Sequence, residues 1–409
     1  MNIKSLNRKL NKKFAGRVTA RLSDGCIVLT GELDDWNDVV DAGMTAATPH
    51  SSTHVVNDIV FTGAAEEKMH MPAIDDKALD GEKPDVLVIG GGISGCSVER
   101  ELSRYKLSVL LIDKEADLAL GASGRNDGEV HPGVDLSKGS LKHKYIRRAN
   151  HMYEDLCREL DVPFKRTGQY ACFTHKSWLP FVSLYAKWRR DHDGIEDTCI
   201  VMGDEIRKKE PKISADVAFA LSNPSSGSVS PYNLVIAYAE NAVQNGARVS
   251  LNTAVTGMDV SGGEIKAVYT NRGTIYPREV INCAGVYSDV VAQMAQDRFF
   301  SIHPRRGTNS ILDKKTGASF HGIASIVMSQ SPVKTHTKGG GILHTMHDNL
   351  LIGPDAVETP ERENTATDAE SIARVFTKQR ITMPTLTEKD IITYFTGVRA
   401  PTYEEDFII

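Results

Sequence analysis

The chain has 409 residues, a length at which two or three domains are more common than a single hydrophobic core. Hydrophobic residues make up 41% and charged residues 25% of it, which excludes disordered, collagen-like and membrane-embedded proteins. The formal net charge of −5 argues against a nucleic-acid-binding surface spread over the molecule, so we expect no nucleic-acid partner. The six cysteines are scattered without metal-ligand spacing, so we expect reduced thiols and no metal site.

The sequence predicts a cytoplasmic location. No stretch approaches the roughly 20 apolar residues that a membrane-spanning helix needs, and the basic N-terminus lacks the apolar core of a signal peptide. Basic helices also occur where proteins touch anionic membrane surfaces. A peripheral membrane location therefore stays open beside the simpler interpretation of a solvated helix face.

Residues 1–62 predict a small α+β domain. Two β-prone runs are joined at Asp24-Gly25, a pair typical of hairpin turns, and a second helix and the run VVNDIVF follow. The first helix is predicted by apolar side chains at helical spacing, namely Ile3, Leu6, Leu10 and Phe14. With these strands and their closing run, residues 1–62 resemble the BON domain. That resemblance implies a partner subunit or a membrane surface as their ligand.

A linker and then a nucleotide-binding unit are predicted next. Residues 63–84 carry charge, Gly and Pro without periodicity, which is typical of a linker. Gly90, Gly92 and Gly95 follow an apolar strand and open a helix, and Asp113 ends the next strand. This order is the dinucleotide-binding fingerprint: the glycines allow a tight turn and close approach to a pyrophosphate, and the acid accepts from a ribose hydroxyl.

The segment after that unit favours a flavin over a nicotinamide cofactor. The run GASGRNDGEVHPG, residues 121–133, is one that an ordinary nicotinamide domain does not need. With it, the chain resembles the FAD-dependent oxidoreductases of the D-amino-acid oxidase superfamily. Within that superfamily it is most similar to flavin glycerol-3-phosphate dehydrogenases and L-2-hydroxyglutarate dehydrogenases. The resemblance implies that Ser123 and Asn126 contact FAD.

Further runs carry the same resemblance as far as about residue 408, among them VINCAG, HPRRG and YFTGVRA. They imply that Val255 contacts the adenine side through its backbone and that Ala284 and Gly285 lie beside the cofactor. The implied fold is α/β, with a Rossmann-like FAD-binding domain and an interleaved α+β substrate domain within residues 85–409. The FAD-binding parts are expected at about 85–160 and 225–300, and the substrate-domain parts at about 161–224 and 301–400.

Two departures from the family pattern stand out. Asp127 and Glu129 replace a residue that is commonly Ser and an apolar residue, which places two extra carboxylates near the site. Such carboxylates would repel an anionic substrate unless they are paired or turned away. The chain also stops at Ile409, whereas the family continues into a further flavin-binding segment. We therefore expect that segment to be missing from a truncated product or to be supplied by another chain.

Three residues are the catalytic candidates. The resemblance places His131 nearest the flavin, where it would remove the hydroxyl proton, and Arg399 where it would bind the substrate's anion. Arg306 is a weaker second cation. The structural alternatives are a histidine held in a turn, a surface salt bridge of Arg399, and a solvated pair of Arg305 with Arg306.

These features predict an FAD-dependent dehydrogenase that oxidises a small anionic 2-hydroxy compound by hydride transfer to flavin N5. Glycerol 3-phosphate is the first candidate substrate, L-2-hydroxyglutarate the second, and an amino acid the third. The electron acceptor is not identified. An alternative of another class is a truncated or non-catalytic FAD-binding subunit that acts through its BON-like domain.

Overall fold

The first 62 residues fold into a three-stranded sheet with two helices. The computed structural model describes residues 2–49, 51, 53–65, 68–195, 197–327 and 340–409. Strand order is β1-β2-β3, with the first pair antiparallel and the second parallel. The elements of this N-terminal module are α1 (Ile3–Phe14), β1 (Val18–Ser23), β2 (Cys26–Leu33), α2 (Trp36–Ala46) and β3 (Val55–Phe61). The predicted α-β-β-α-β order is confirmed.

The next part of the chain begins with a β-α-β unit and then crosses into a second region. Its elements are β4 (Val86–Ile89), α3 (Ile93–Leu102), β5 (Val109–Ile112), β6 (Glu129–Val130), α4 (Leu141–Glu159), β7 (Phe164–Lys165), β8 (Gln169–Phe173), α5 (Leu179–Asp193), β9 (Cys199–Met202), α6 (Gly203–Lys209), β10 (Phe219–Asn223) and β11 (Gly227–Val229). The strands that surround the Gly-rich turn are buried throughout, as their continuous apolar runs predict.

The remainder of the chain returns to the first sheet and then completes the second. Its elements are α7 (Pro231–Gln244), β12 (Arg248–Ser250), β13 (Val255–Ser261), β14 (Glu264–Thr270), β15 (Gly273–Ile275), β16 (Glu279–Asn282), α8 (Ser288–Met294), β17 (Arg305–Leu312), α9 (Lys314–Gly317), β18 (Ile323–Ile326), β19 (Gly341–His344), β20 (Leu350–Gly353), β21 (Val357–Glu358), α10 (Ala369–Gln379) and β22 (Ile391–Arg399). Pro231 opens α7, where its missing N–H leaves no hydrogen bond unmade.

Two sheets organise residues 85–409. A parallel sheet has strand order β12-β5-β4-β16, with α3 and α7 packed together against it. A nine-stranded mixed sheet runs β21-β17-β20-β19-β18-β8-β10-β9, and β22 pairs with β17 beside this path. The predicted fold class, a Rossmann-like α/β domain with an interleaved second region, is confirmed. Among the described residues, no helix combines the length and apolar character that crossing a membrane requires.

The N-terminal module packs directly onto the rest of the protein. Tyr403 is buried in the module's own core, and its hydroxyl accepts a hydrogen bond from Asn57 Nδ2 at 2.8 Å. The buried carboxylate of Glu404 accepts from Val55 N at 2.7 Å. Arg298 pairs with Asp58 at 2.8 Å. The segment after β22 therefore completes the core of a module from the other end of the chain.

The segment predicted as a linker is docked over much of its length. Arg272 pairs with Asp76 through Nε and Nη2, at 3.1 and 3.0 Å. Leu79 is buried in the core between the parallel sheet and the β13–β15 sheet. Residues 76–82 therefore bind along the turn between β14 and β15. That attachment depends on partners nearly two hundred positions away, which local periodicity does not reveal.

Candidate active site

A large cleft opens at the carboxyl ends of β4, β5 and β16. Its volume is about 1620 Å³, above the roughly 300–1,000 Å³ of ordinary small-molecule pockets. We call it the central cleft. α/β proteins bind their ligands at the edge of the parallel sheet where the carboxyl ends of the strands lie. Seven of the nine predicted cofactor residues line it: Gly90, Gly92, Asp113, Ser123, Val255, Ala284 and Gly285.

The glycines of the turn after β4 are required by close backbone contacts. Gly90 has φ +111°, and a Cβ added there would lie 2.3 Å from the carbonyl oxygen of Cys283. A Cβ on Gly95 would lie 1.8 Å from the Gly90 carbonyl oxygen, so Gly95 serves the packing of α3 on β4 and does not line the cleft. At Gly92 a Cβ would come within 2.9 Å of Ser123 Oγ. The loop is a cradle that side chains would fill.

Asp113 holds this cradle from the end of β5. Its Oδ2 accepts from Gly91 N at 2.5 Å, and its Oδ1 accepts from Glu115 N at 2.8 Å. Burial raises the pKa of Asp113, while these two backbone hydrogen bonds oppose the rise. The carboxylate therefore orders the Gly-rich loop as well as facing the cleft.

Ser123 and Asn126 differ in their relation to the cleft. Ser123 Oγ accepts from Ile93 N at 2.9 Å and so caps the first turn of α3 at the cleft wall. Asn126 Nδ2 donates to the Ser123 carbonyl at 2.7 Å, and its Oδ1 accepts from Gly128 N at 2.8 Å. Asn126 is not among the residues that line the cleft. Its contacts within the structure shape the loop on which Ser123 sits.

The two predicted arginines lie on opposite faces of β17 and β22. In this antiparallel pair Arg305 is opposite Arg399, and Arg306 is opposite Val398. Because side chains alternate across a strand, Arg399 shares its face with Arg305 and not with Arg306. Arg306 instead lies 3.4 Å from Asp368 and donates to the carbonyl of Ala366.

Arg399 occupies a partly buried position close to the loop that follows Ser123. Its Nη2 donates to the Asp355 carbonyl at 2.6 Å. Burial lowers the pKa of its guanidinium, as does the charge of Arg305, while Asp127 acts in the opposite direction. Its strand neighbours Val398 and Ala400 line the central cleft, but Arg399 itself does not. Any anion that it binds lies on the Asp127 side of the strand.

Arg305 was considered from the sequence only as part of a solvated pair with Arg306, and for Arg305 that alternative is wrong because the residue is buried. It is 6% exposed, and its Nε donates to Glu358 Oε1 at 2.6 Å. Its Nη2 is buried and makes no hydrogen bond to any described residue. The signal that could have identified Arg305 is the alternation of side chains along β17, which places Arg305 and Arg306 on opposite faces. Choosing between them requires knowing that β17 pairs with β22 in this register.

His131 lies in the loop between β6 and α4. Its Nδ1 accepts a hydrogen bond from Gly133 N at 2.9 Å, and its Nε2 lies 3.2 Å from Asp135 Oδ1. This geometry places the proton of the neutral ring on Nε2. Its role as a base stays a prediction, and it requires Nδ1 to exchange the Gly133 amide for a substrate hydroxyl.

Glu129, one of the two extra carboxyl groups, holds its proton more tightly than an ordinary glutamate does. Burial, with the charges of Asp127 and Asp135, raises the pKa of Glu129 to about 8. Its Oε1 accepts from Gln169 Nε2 at 2.8 Å. Because a carboxyl group with that pKa is protonated at neutral pH, Glu129 does not add to the repulsion of an anion there.

Together, the parallel sheet, the Gly-rich cradle and the cleft define a dinucleotide-binding protein of the Rossmann-like class. The family described as "FAD dependent oxidoreductase" matches residues 85–409. The chain belongs to this family. The predicted enzyme class and the predicted cofactor, FAD, are therefore confirmed, and the cradle of glycines fits the pyrophosphate of such a cofactor.

Known relatives narrow the class further. The chain is 36% identical over 326 residues to a glycerol 3-phosphate dehydrogenase of Caloramator mitchellensis, covering 80% of this chain and 66% of the relative. It thus spans about two thirds of that relative's length. It is 33% identical over 227 residues to an L-2-hydroxyglutarate dehydrogenase of Indibacter alkaliphilus, covering 54% of this chain and 56% of the relative.

A solved structure shows the same architecture with the cofactor present. The dithionite-reduced L-α-glycerophosphate oxidase of Mycoplasma pneumoniae, with FAD bound, superimposes with a TM-score of 0.72 at 25% identity. The superposition covers 80% of this chain and 86% of that one. The chain is therefore an FAD-dependent oxidoreductase related to glycerol 3-phosphate dehydrogenases and oxidases.

Proposed function

We propose that the protein oxidises glycerol 3-phosphate at its secondary alcohol. The observation that carries this proposal is the similarity to a glycerol 3-phosphate dehydrogenase along 80% of the chain. Bound FAD supplies the hydride acceptor for such a reaction. The residues predicted for the cofactor fit this role, because seven of them line one cleft and Gly95 and Asn126 shape its loops.

Arg399 is proposed to bind the phosphate. A partly buried guanidinium whose charge is disfavoured by its surroundings gains from an anionic partner, and its planar fork matches phosphate oxygens. Arg305 lies opposite it on the same face, where its Nε is paired with Glu358 and its Nη2 makes no hydrogen bond to any described residue. Because Glu129 is protonated at neutral pH, it adds no negative charge of its own to the site.

His131 is proposed to take the proton from the substrate's hydroxyl group. Its Nδ1 carries the lone pair that does this, and Asp135 beside Nε2 stabilises the charged ring that results. Arg306 is not required in this scheme, since its guanidinium is paired with Asp368 on the opposite face.

L-2-hydroxyglutarate is the second candidate substrate, supported by the Indibacter relative. Rates with an artificial electron-accepting dye discriminate the two. We expect turnover with glycerol 3-phosphate at least about tenfold faster than with L-2-hydroxyglutarate, glycerol or amino acids. Faster turnover with L-2-hydroxyglutarate or with an amino acid would reassign the substrate. No turnover by the FAD-loaded protein with any of these compounds would favour a non-catalytic subunit.

A further inference from the structure

A short segment from outside the family match forms part of the central cleft. Lys68, Met69 and His70 line it, although the family match begins at residue 85. These three residues precede β4 in the sequence. We call residues 68–70 the strap.

The strap is attached to the cleft by a partly buried carboxylate, that of Glu363. His70 N donates to Glu363 Oε2 at 3.0 Å, and Glu363 Oε1 lies 2.7 Å from Lys114 Nζ. Lys114 directly follows Asp113 at the end of β5. Burial raises the pKa of Glu363, but Lys114 and the His70 amide outweigh that effect and hold its pKa below the ordinary value. Glu363 is thus ionised and ties the strap to the end of the parallel sheet.

The chain after the strap is also fixed, so the strap does not depend on one contact. The Ile74 carbonyl accepts from Asn271 Nδ2 at 2.5 Å, and Asn271 Oδ1 accepts from Ala254 N at 2.7 Å. Ala254 lines the cleft beside Val255. The Asp76–Arg272 pair lies just beyond. The segment that carries the strap is therefore hydrogen-bonded to the rest of the protein at two places, at Glu363 and at Asn271, which in turn binds Ala254 in the cleft wall.

We propose that the strap is part of the FAD-binding site, where it covers the ribose end of the cofactor and slows its release. Asp113 marks that end, because an acid at this position of the fingerprint accepts from the ribose. A wall held in place before the cofactor binds excludes water from the cleft and needs little further ordering. The N-terminal extension of this protein would thereby contribute to cofactor retention.

The test is the affinity and release rate of FAD, which require no substrate. In the full chain the strap is replaced by the triple substitution Lys68→Gly, Met69→Ser, His70→Gly, and the anchor is weakened separately by Glu363→Gln. FAD fluorescence on dilution gives the release rate. We expect release about tenfold faster in the triple variant and several-fold faster in Glu363→Gln, in line with the worth of a charged hydrogen bond. The matched control, Asp191→Asn, removes an exposed carboxylate that pairs with Lys187 on α5 and should release FAD at the parent rate.

Unchanged release in both strap variants would overturn the proposal. A second measurement on the unmodified protein guards against a variant that fails to fold. Hydrogen exchange of the His70 amide should slow at least about fivefold when FAD is added, because contacts with the bound cofactor further stabilise the strap against local opening. Exchange that FAD leaves unchanged would equally overturn the proposal. Either result leaves the choice of substrate untouched.

Discussion

At the Gly-rich loop of the central cleft the chain presents backbone and small side chains, whereas the Arg305–Arg399 face of the mixed sheet presents ionisable groups that are wholly or partly buried. Gly90 and Gly95 matter because no atom fits where their side chains would be. Arg399, Arg305 and Glu129 matter because burial acts on the charge that each can carry: it opposes the charge of Arg399, encloses the charge of Arg305 and keeps Glu129 protonated. Substitutions in the cleft should therefore act through shape, and substitutions on the arginine face through electrostatics and pH.

The largest effect is expected from Gly90→Ala. The new Cβ would meet the Cys283 carbonyl at 2.3 Å in a left-handed conformation that side chains rarely adopt. We expect FAD affinity to fall by about 100-fold or more, since strain and a shifted loop together cost several kcal/mol. Flavin absorbance of the purified protein measures this. Gly121→Ala is the control, because Gly121 lines the same cleft and a Cβ there has no atom within 4 Å. Equal flavin content in the two variants would contradict the shape argument.

On the arginine face, Arg399→Ala should raise the KM for glycerol 3-phosphate about 10- to 100-fold and leave FAD bound. A hydrogen bond to a charged group contributes about 1.5–3 kcal/mol, which gives that range. Arg306→Ala removes the same group from the opposite face and should change KM less than about threefold. Steady-state kinetics test both. Equal losses in the two variants would show that strand alternation does not separate their roles.

Glu129→Gln should change how stability depends on pH. The pKa of Glu129 is about 8 in the folded protein against an ordinary 4.5, so the folded state keeps a proton that the unfolded chain loses. Its contribution therefore falls as pH rises from about 4.5 to about 8. Relative to the parent, the Gln variant should melt several degrees higher at pH 8 and at nearly the same temperature at pH 5.

Glu99→Gln provides the matched comparison on the cofactor side. Burial raises the pKa of Glu99 to about 8 as well, on α3 and without a hydrogen bond to any described residue. Both variants should gain stability at pH 8, but only Glu129→Gln should alter the pH dependence of KM. Parallel melting curves for parent and Glu129→Gln across pH 5 to 8 would show that Glu129 is ionised.

The smallest effect is expected at the contact with the N-terminal module. Tyr403→Phe removes the hydroxyl that accepts from Asn57 and should lower stability by about 1 kcal/mol. A melting temperature a few degrees lower, with flavin content unchanged, is the expected result. Tyr394→Phe is the control, because Tyr394 is 55% exposed. If both variants melt alike, the hydroxyl of Tyr403 contributes nothing to this contact.

The sequence predicted the structure best where one short stretch of the chain forms a complete structural unit. The hairpin at Asp24-Gly25 and the β-α-β unit with Gly90, Gly92 and Gly95 need only neighbouring residues, and both formed as predicted. FAD could be inferred from the run after β5 because it resembles a known family. The BON resemblance of residues 1–62 stays a prediction.

Features that depend on distant pairing could not be predicted in this way. Whether Arg399 meets Arg305 or Arg306 is decided by the register of β17 against β22, which no local pattern states. The strap and the burial of Tyr403 join segments from opposite ends of the chain. The raised pKa of Glu129 arises from burial beside two other carboxyl groups, which appears only after folding.

The most direct test of the account is the visible spectrum of the FAD-loaded protein mixed with glycerol 3-phosphate in the absence of oxygen. We expect the visible flavin absorbance to bleach as the cofactor accepts a hydride. We also expect Arg399→Ala, equally yellow, to bleach far more slowly at the same substrate concentration. A yellow protein whose spectrum does not change with glycerol 3-phosphate, at any concentration, would contradict the proposed oxidation.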